Sequence, residues 1–231
     1  DNSDGKAAIH MVSAFVSEAR IVLGQQKTNA KSNEITAIPD LLDWLDVRGA
    51  IVTIDAMGCQ KSIAKKITEK GGDYVFGLKG NQGNLNDDVR LYFETEIMDR
   101  YAETVDGGHG RIETRKCFVS DDIEWLIARN PGWDNLKTII MIEAAREISG
   151  NKIFEKRFYI SSCKADAQQL LKAVRSHWGV ENSLHWILDM SFGEDQSRIR
   201  KGNAPENMAI IRHVALNMLQ KAKPQRQSIK R

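Results

Sequence analysis

Two acidic side chains in this sequence occupy positions where an acid costs free energy or binds a ligand. Residues 167–192 have the apolar spacing of one amphipathic helix, and at about 100° per residue Glu181 falls in the middle of its apolar stripe. An ionised carboxylate in such a stripe is costly unless it is paired or binds a metal ion. The helix pattern alone leaves open a salt-bridged or water-exposed glutamate near the helix end. The stripe consists of Leu170, Leu171, Val174, Trp178, His185 and Leu188.

The second acid, Asp55, follows a short β-branched run. Residues 49–54 predict a strand that is buried on both faces, and a helix is predicted over 60–70. The carboxyl end of such a strand is where open α/β sheets bind ligands, although an N-cap or turn aspartate is an alternative. Together, Asp55 and Glu181 predict two carboxylates, roughly 5–8 Å apart, that converge on a hard cation such as magnesium.

The elements around these acids predict an α/β protein. The order β-β-α-β-α-β-α over the first part of the chain is typical of a mixed sheet with an antiparallel start and a parallel continuation. Residues 101–161 have the alternation of β-strands. The predicted organisation is therefore a first core segment over 1–100, a β-rich insertion over 101–161, and a C-terminal helical part of the core over 162–231.

Composition restricts the classes of protein to consider. The chain has 231 residues, 42% hydrophobic content and a net charge of +2, which is enough to bury a full core. From residue 196 onward nine Lys or Arg stand against one acid, which suits a polyanion or a solvated surface. Three cysteines, an odd number without CxxC spacing, argue against a disulfide framework and a zinc ribbon, and the absence of a long apolar run argues against a membrane protein. We expect a cytosolic protein.

Four short motifs resemble a known family. They are Thr-Ile-Asp-Ala-Met-Gly-Cys-Gln at 53–60, Lys-Gly-Asn-Gln at 79–82, His-Gly-Arg at 109–111, and His-Trp-Gly-Val-Glu-Asn-Ser-Leu-His-Trp at 177–186. Together they are similar to the H-repeat-associated insertion-sequence transposases, and the similarity covers essentially the whole chain. This family belongs to the DDE transposases, so the resemblance implies an RNase H-like core with an Asp-Asp-Glu triad. Asp55 corresponds to the second acid and Glu181 to the third.

The sequence departs from the family pattern at the first acid and around the third. In the family the first acid ends a hydrophobic strand and is followed by Gly-Lys. Asp4-Gly5-Lys6 has the same three residues, but no apolar strand precedes it, so we expect Asp4 to be a linker residue. The first strand and the first catalytic aspartate are then missing, and we expect an inactive fragment that is cut at both ends. Where related transposases have Arg and Lys around the third acid, this chain has His177 and Leu188.

The resemblance also implies a reaction and its partners. Two Mg²⁺ (or Mn²⁺) ions about 3.5–4 Å apart would support phosphodiester hydrolysis and strand transfer on double-stranded DNA, at transposon ends and in the target. The expected setting is the bacterial cytosol, on the nucleoid, with a possible homodimer and no membrane. The predicted DNA-binding residues are Lys79, Arg111, Arg175, His177, His185, Arg198, Arg200, Lys201 and Arg212.

Several alternatives stay open at this point. His177, Glu181 and His185 have i, i+4, i+8 spacing and could form a zinc site on one helix face. The alternation of Arg111, Glu113 and Arg115 is typical of cross-strand ion pairs or, less often, of phosphate contacts. A catalytically inactive DNA-binding remnant and an RNase H-like nuclease are the alternative functions.

Overall fold

The β-branched run before Asp55 forms a strand in a six-stranded mixed sheet. A computed structural model describes residues 10–28, 34–108, 111–148 and 151–222. Its strands are β1 (Met11–Val16), β2 (Ile21–Lys27), β3 (Ile51–Ile54), β4 (Asp73–Leu78), β5 (Tyr101–Gly108), β6 (Arg111–Ser120), β7 (Thr138–Ile148) and β8 (Asn151–Ser161). Its helices are α1 (Glu34–Trp44), α2 (Lys61–Glu69), α3 (Gly83–Thr95), α4 (Glu124–Arg129), α5 (Ala167–Val180), α6 (Trp186–Phe192) and α7 (Ala204–Ala222). The predicted α/β class is confirmed, and the element order up to α3 matches the predicted one.

The chain divides into two compact units. The first contains Asp1–Leu45 and Ser176–Arg231, and the second contains Asp46–Arg175. The predicted boundaries at residues 100 and 161 were placed where the strand-like alternation of the sequence begins and ends. The two units are instead defined by which residues contact each other. The strands of the predicted β-rich insertion lie in the same sheet as β3 and β4, because β8 pairs with β4.

The second unit is built on the sheet with strand order β3-β4-β8-β7-β6-β5. Only β3 and β4 are parallel; the other pairs are antiparallel. One face of the sheet packs against α5 through a cluster that includes Val75, Ile140, Leu170 and Val174. The prediction that β3 is buried on both faces is wrong. All four of its residues, which alternate between the two faces, are only partly buried, and within the described sheet β3 is an edge strand.

The first unit joins the β1–β2 hairpin to helices from the C-terminal part of the chain. Its core contains Val22 of β2, Leu184 and Leu188, and Leu216 of α7. The side-chain amide of Asn217 fixes α7 to β2 by donating to the Val22 carbonyl (2.7 Å) and accepting from the Val22 N–H (2.8 Å). This reciprocal pairing satisfies two polar groups of the strand at once. None of the described helices has the length and apolar character needed to cross a membrane.

The predicted single helix over 167–192 contains a π-helical segment. Helix α5 ends at Val180, Glu181–His185 form a π-helix, and α6 follows directly. A π-helix bonds residue i to i+5, so its extra residue rotates the following side chains relative to an α-helix. Leu184 and Leu188 are buried, and His185 is exposed. The prediction that Trp178 and His185 belong to the apolar stripe is wrong, since both are exposed; Trp178 lies in α5, before the π-helix.

Candidate functional site

Asp55 begins a tight loop at the carboxyl end of β3. One carboxylate oxygen, Oδ1, accepts hydrogen bonds from the backbone N–H groups of Met57 (3.1 Å) and Gly58 (3.3 Å). Within the described part of the chain no hydrogen bond reaches the other oxygen, Oδ2, and the side chain is exposed. The N-cap position of α2 is Gln60, so the turn alternative holds for Oδ1 and the N-cap alternative does not. Asp55 thus keeps one oxygen available to a ligand. We call residues 55–60 the Asp55 loop.

The neighbouring strand β4 shapes the Asp55 loop from one side. Gly77 lies next to the start of the loop, where a Cβ atom would be 3.2 Å from the Ala56 nitrogen. Beyond β4, a 3₁₀ turn at Gly80–Gln82 brings two side-chain amides to the loop. Asn81 donates to the Ala56 carbonyl (2.6 Å), and Gln82 donates to the Cys59 carbonyl (2.7 Å). The Lys-Gly-Asn-Gln motif was visible in the sequence, but its contact with the loop was not predicted.

Cys59 does not contribute a reactive thiol to this loop. Its side chain is fully buried, and burial together with the nearby charge of Asp55 raises the pKa of the thiol to about 12. Nucleophilic attack and metal ligation both require the thiolate. The available chemistry of the loop therefore belongs to the Asp55 carboxylate.

The donor chemistry at Asp55 fits a hard divalent cation. Carboxylate oxygens are the ligands that Mg²⁺ prefers, and a Mg²⁺ site commonly uses one or two carboxylates together with water and substrate phosphates. Among the described residues, no group of three His, Cys, Asp or Glu side chains is placed to hold a metal ion. A complete ligand set would therefore need additional ligands beside Asp55. Glu181 is the ligand expected from the sequence.

Glu181 is the first residue of the π-helix. Its backbone is described, whereas its side chain lies outside the described residues. The expected separation of roughly 5–8 Å between its carboxylate and that of Asp55 therefore stays a prediction. A π-helical segment inside an α-helix is uncommon and is found frequently at functional sites. The π-helix starts at Glu181, the acid that the sequence pattern placed in the middle of the apolar stripe.

The two histidines near Glu181 differ in exposure. His177 is half-buried, with its ring edge-on to Trp178 at 6.0 Å between centroids, and His185 is exposed at the end of the π-helix. A zinc site on one helix face would require uninterrupted α-helical spacing from His177 to His185. The π-helix interrupts that spacing, so the zinc hypothesis loses its geometric basis.

The predicted DNA-binding cations of the second unit have different environments. Lys79 is exposed directly after β4, and Arg175 of α5 pairs with Asp106 at 2.7 Å. Arg111 is the first residue of β6, and its side chain lies outside the described residues. Glu113, which is buried, pairs with Arg115 (2.7 Å) and with its cross-strand partner Arg146 (3.3 Å). These contacts favour the ion-pair interpretation of the charge alternation.

The predicted cations of the first unit also fall into two groups. Arg198 and Lys201 are exposed, and Arg200 is half-buried and donates to the Ile199 carbonyl (2.8 Å). Arg212 has a side chain that is only 11% exposed and that pairs with Glu194 at 3.4 Å. Arg198 and Lys201 are consequently the exposed members of this set.

Titratable groups with shifted pKa values also lie on and near α6 and α7, and they were not predicted from the sequence. Burial, followed by the charge of Asp195, raises the pKa of Asp189. Burial also raises the pKa of Glu194, which the Arg212 guanidinium partly offsets. In α7, burial lowers the pKa of His213 to about 4. Isolated polar residues in an apolar helix carry no sequence signal of such contacts.

Comparison with known proteins gives a consistent result. Residues 1–218 match the family described as Transposase DDE domain. YncI of Escherichia coli O157:H7, provisionally named a transposase, is 44% identical over 238 residues, covering 100% of this chain and 61% of that protein. YhhI of Escherichia coli (strain K12), provisionally named an H repeat-associated transposase, is 45% identical over 228 residues, covering 95% of this chain and 60% of that protein. The chain thus spans about 60% of the length of these relatives.

A solved structure is also similar, at greater distance. It is a cryo-EM structure of a piggyBac transposase synaptic complex with hairpin DNA, with a TM-score of 0.49 and 11% sequence identity. The alignment covers 96% of this chain and 44% of that chain.

Proposed function

Because this chain belongs to the Transposase DDE domain family, we propose that it forms the RNase H-like catalytic core of an insertion-sequence transposase. In the proposed reaction a water oxygen attacks phosphorus at an element end and releases a 3′-hydroxyl. That hydroxyl then attacks a target phosphodiester, and the target's own 3′-oxygen leaves. The partner is double-stranded DNA, and the setting is the bacterial cytosol on the nucleoid. We also propose that two copies act together as a homodimer.

The proposal rests on the hydrogen bonding of the Asp55 carboxylate. Its Oδ1 is occupied by two backbone N–H groups, and no described group bonds to its Oδ2. Two backbone donors fix the orientation of the carboxylate, so Oδ2 is presented at a defined position on the end of β3. In the proposal Asp55 and Glu181 hold divalent cations, Mg²⁺ or Mn²⁺. When bound, such ions stabilise the charge that develops on the entering and leaving oxygens.

Exposed cations would hold the DNA backbone around these acids. Lys79 follows the strand next to β3, and Arg198 and Lys201 lie on the surface of the first unit. Lysine and arginine contacts to phosphates position DNA without selecting its sequence. Arg111, Arg175, His177, His185, Arg200 and Arg212 remain further candidates for this role.

The test of catalysis uses a chimera in which this chain replaces its matching segment of YhhI. We expect Mg²⁺-dependent transfer of an H-repeat element from a donor plasmid, and a loss of roughly 10³-fold or more for Asp55→Asn and for Glu181→Gln. Glu69→Gln is the matched control, because Glu69 is an exposed acid in a weak surface pair with Lys65 (3.7 Å). The 231-residue chain alone should give no strand transfer, since the motifs identify only two of the three acids.

The outcomes separate the proposed function from the alternatives. Retained strand transfer in Asp55→Asn would exclude Asp55 as a catalytic acid. Cleavage without joining by the parent chimera would favour a nuclease, and DNA binding without cleavage would favour a DNA-binding remnant. Efficient Mg²⁺-dependent nicking by the isolated chain would show that Asp4, or another acid such as Asp189 or Glu194, completes the site.

A further inference from the structure

The two side-chain amides that reach the Asp55 loop have no role in the function proposed so far. We propose that Asn81 and Gln82 are positioning residues, which hold the Asp55 loop in the turn that keeps Oδ2 of Asp55 free for a divalent cation. This inference rests on the proposed function, because it assigns the loop to a cation site.

The contacts span the Asp55 loop from both ends. Asn81 donates to the carbonyl of Ala56, the residue after Asp55, and Gln82 donates to the carbonyl of Cys59, just before α2. The Ala56 carbonyl also accepts from the Cys59 N–H (3.3 Å), which closes the loop on itself. Two amides from one turn therefore fix the positions of two carbonyls, three residues apart, that flank the N–H donors of Met57 and Gly58.

Those N–H donors determine which oxygen of the Asp55 carboxylate is available to a cation. Met57 and Gly58 bond to Oδ1, so any rotation of their peptide groups would release Oδ1 and let the carboxylate turn. Ala56 and Cys59 lie on either side of this pair. Fixing the peptide groups of Ala56 and Cys59 limits such rotation and thereby determines which carboxylate oxygen is available.

The chemistry of an amide suits this position better than that of a charged side chain. A lysine would donate to the same carbonyls but would place a positive charge beside a cation site. Aspartate or glutamate would repel the carbonyls and compete for the cation. Neutral amides donate without either effect, and hydrogen bonds to the groups around a ligand commonly tune metal affinity by 10–100-fold.

The turn that carries the amides is itself anchored. The Gln82 N–H donates to the Lys79 carbonyl (3.0 Å), and β4 runs directly into the turn. Gly77 of β4 allows this strand to approach the Asp55 backbone closely. The amides therefore connect the position of a buried strand to the loop that carries the exposed Asp55 side chain.

The experiment compares the parent chain with Asn81→Ala, Gln82→Ala and the double variant, using Mn²⁺ alone as the probe. We expect the double variant to weaken Mn²⁺ binding, detected as paramagnetic broadening of the Gly58 amide signal, by about tenfold. Exchange of the Met57 and Gly58 amide hydrogens should become faster without Mn²⁺, while other amides of the sheet keep their protection. Asn84→Ala is the matched control, because Asn84 is an exposed amide in the first turn of α3.

The possible results discriminate between the inference and the function on which it rests. If Asp55→Asn weakens Mn²⁺ binding but the double variant behaves like the parent chain, the positioning role is excluded and the cation site stands. If the parent chain binds no Mn²⁺, or Asp55→Asn binds it equally well, the cation site fails, and exchange at Met57 and Gly58 still decides whether the amides order the loop. Faster exchange throughout the sheet, with a large fall in melting temperature, would show a purely structural role and overturn the inference. Because each single variant removes only one hydrogen bond, the single variants provide the test if the double variant does not fold.

Discussion

At the residue scale, the side chain of His213 couples folding to pH. It is only 6% exposed in α7, and its Nδ1 has no hydrogen-bond partner among the described residues. Burial, and then the nearby charges of His185 and Arg212, lower the pKa of His213 to about 4. The folded state therefore favours the neutral ring. In the unfolded state the ring binds a proton with the ordinary pKa of histidine, near 6.5.

This difference predicts an acid-sensitive first unit. The contribution of His213 to stability is complete above pH 6.5 and is lost as the pH falls toward about 4, by a total of about 3 kcal/mol. Urea unfolding at several pH values should show this loss in the parent chain and a smaller one in His213→Phe. The control is His10→Gln, since His10 is exposed. An equal loss in the parent chain and His213→Phe would place the acid sensitivity elsewhere.

At the element scale, the position of Asp55 depends on how closely β3 and β4 approach. The strands are parallel, with Ile54 opposite Phe76, so the next residues along each strand, Asp55 and Gly77, are neighbours. A Cβ atom at position 77 would lie 3.2 Å from the Ala56 nitrogen and 3.5 Å from the Asp55 carbonyl carbon. Both neighbours are backbone atoms, so they can yield only if the Asp55 loop moves.

We therefore expect Gly77→Ala to displace the Asp55 loop. The predicted cost is about 1–3 kcal/mol of unfolding free energy, as for other insertions into tight packing, together with shifted amide signals for Ala56 and Met57. Gly107→Ala is the matched control, because Gly107 also lies in a strand and a Cβ atom there would meet nothing within 4 Å. Unchanged stability and unchanged loop signals in Gly77→Ala would show that the strands tolerate a wider separation.

At the scale of the whole molecule, the net charge of +2 is the sum of charged residues that are unevenly distributed along the chain. Several cations of the second unit are neutralised by partners, as in the pairs Arg175–Asp106 and Arg115–Glu113. Arg198 and Lys201, in contrast, are exposed in the segment before α7. Attraction of DNA through such cations is sensitive to salt and largely independent of base sequence.

The prediction for DNA binding concerns these two residues. The double charge reversal Arg198→Glu with Lys201→Glu should weaken binding to all duplex sequences alike and reduce the slope of log K against log salt by about 0.9 for each lost phosphate contact. Fluorescence anisotropy over a series of salt concentrations measures both quantities. The control reverses Lys65 and Lys152, exposed lysines that already pair with Glu69 (3.7 Å) and Glu147 (3.6 Å). Equal effects in both double variants would mean that the overall charge, and not this segment, attracts DNA.

The sequence by itself determined the α/β class, the family and the elements that carry the two acids. These features are local: a β-branched run predicts β3, apolar spacing predicts the helix that contains Glu181, and short motifs identify the family. Asp55 was predicted at a strand end, and the structure has it directly after Ile54.

Only the tertiary structure decided which elements pair and what surrounds each acid. Pairing of β4 with β8 joins Val75 to Ser161, and no local pattern specifies such a distant partner because it depends on which surfaces can be buried together. The amide contacts of Asn81 and Gln82 have the same origin, because their partners lie 25 and 23 residues away in the sequence. The π-helix that starts at Glu181 has no signal in the apolar spacing either, since periodicity describes the faces of a regular element and not a local change of its hydrogen bonding.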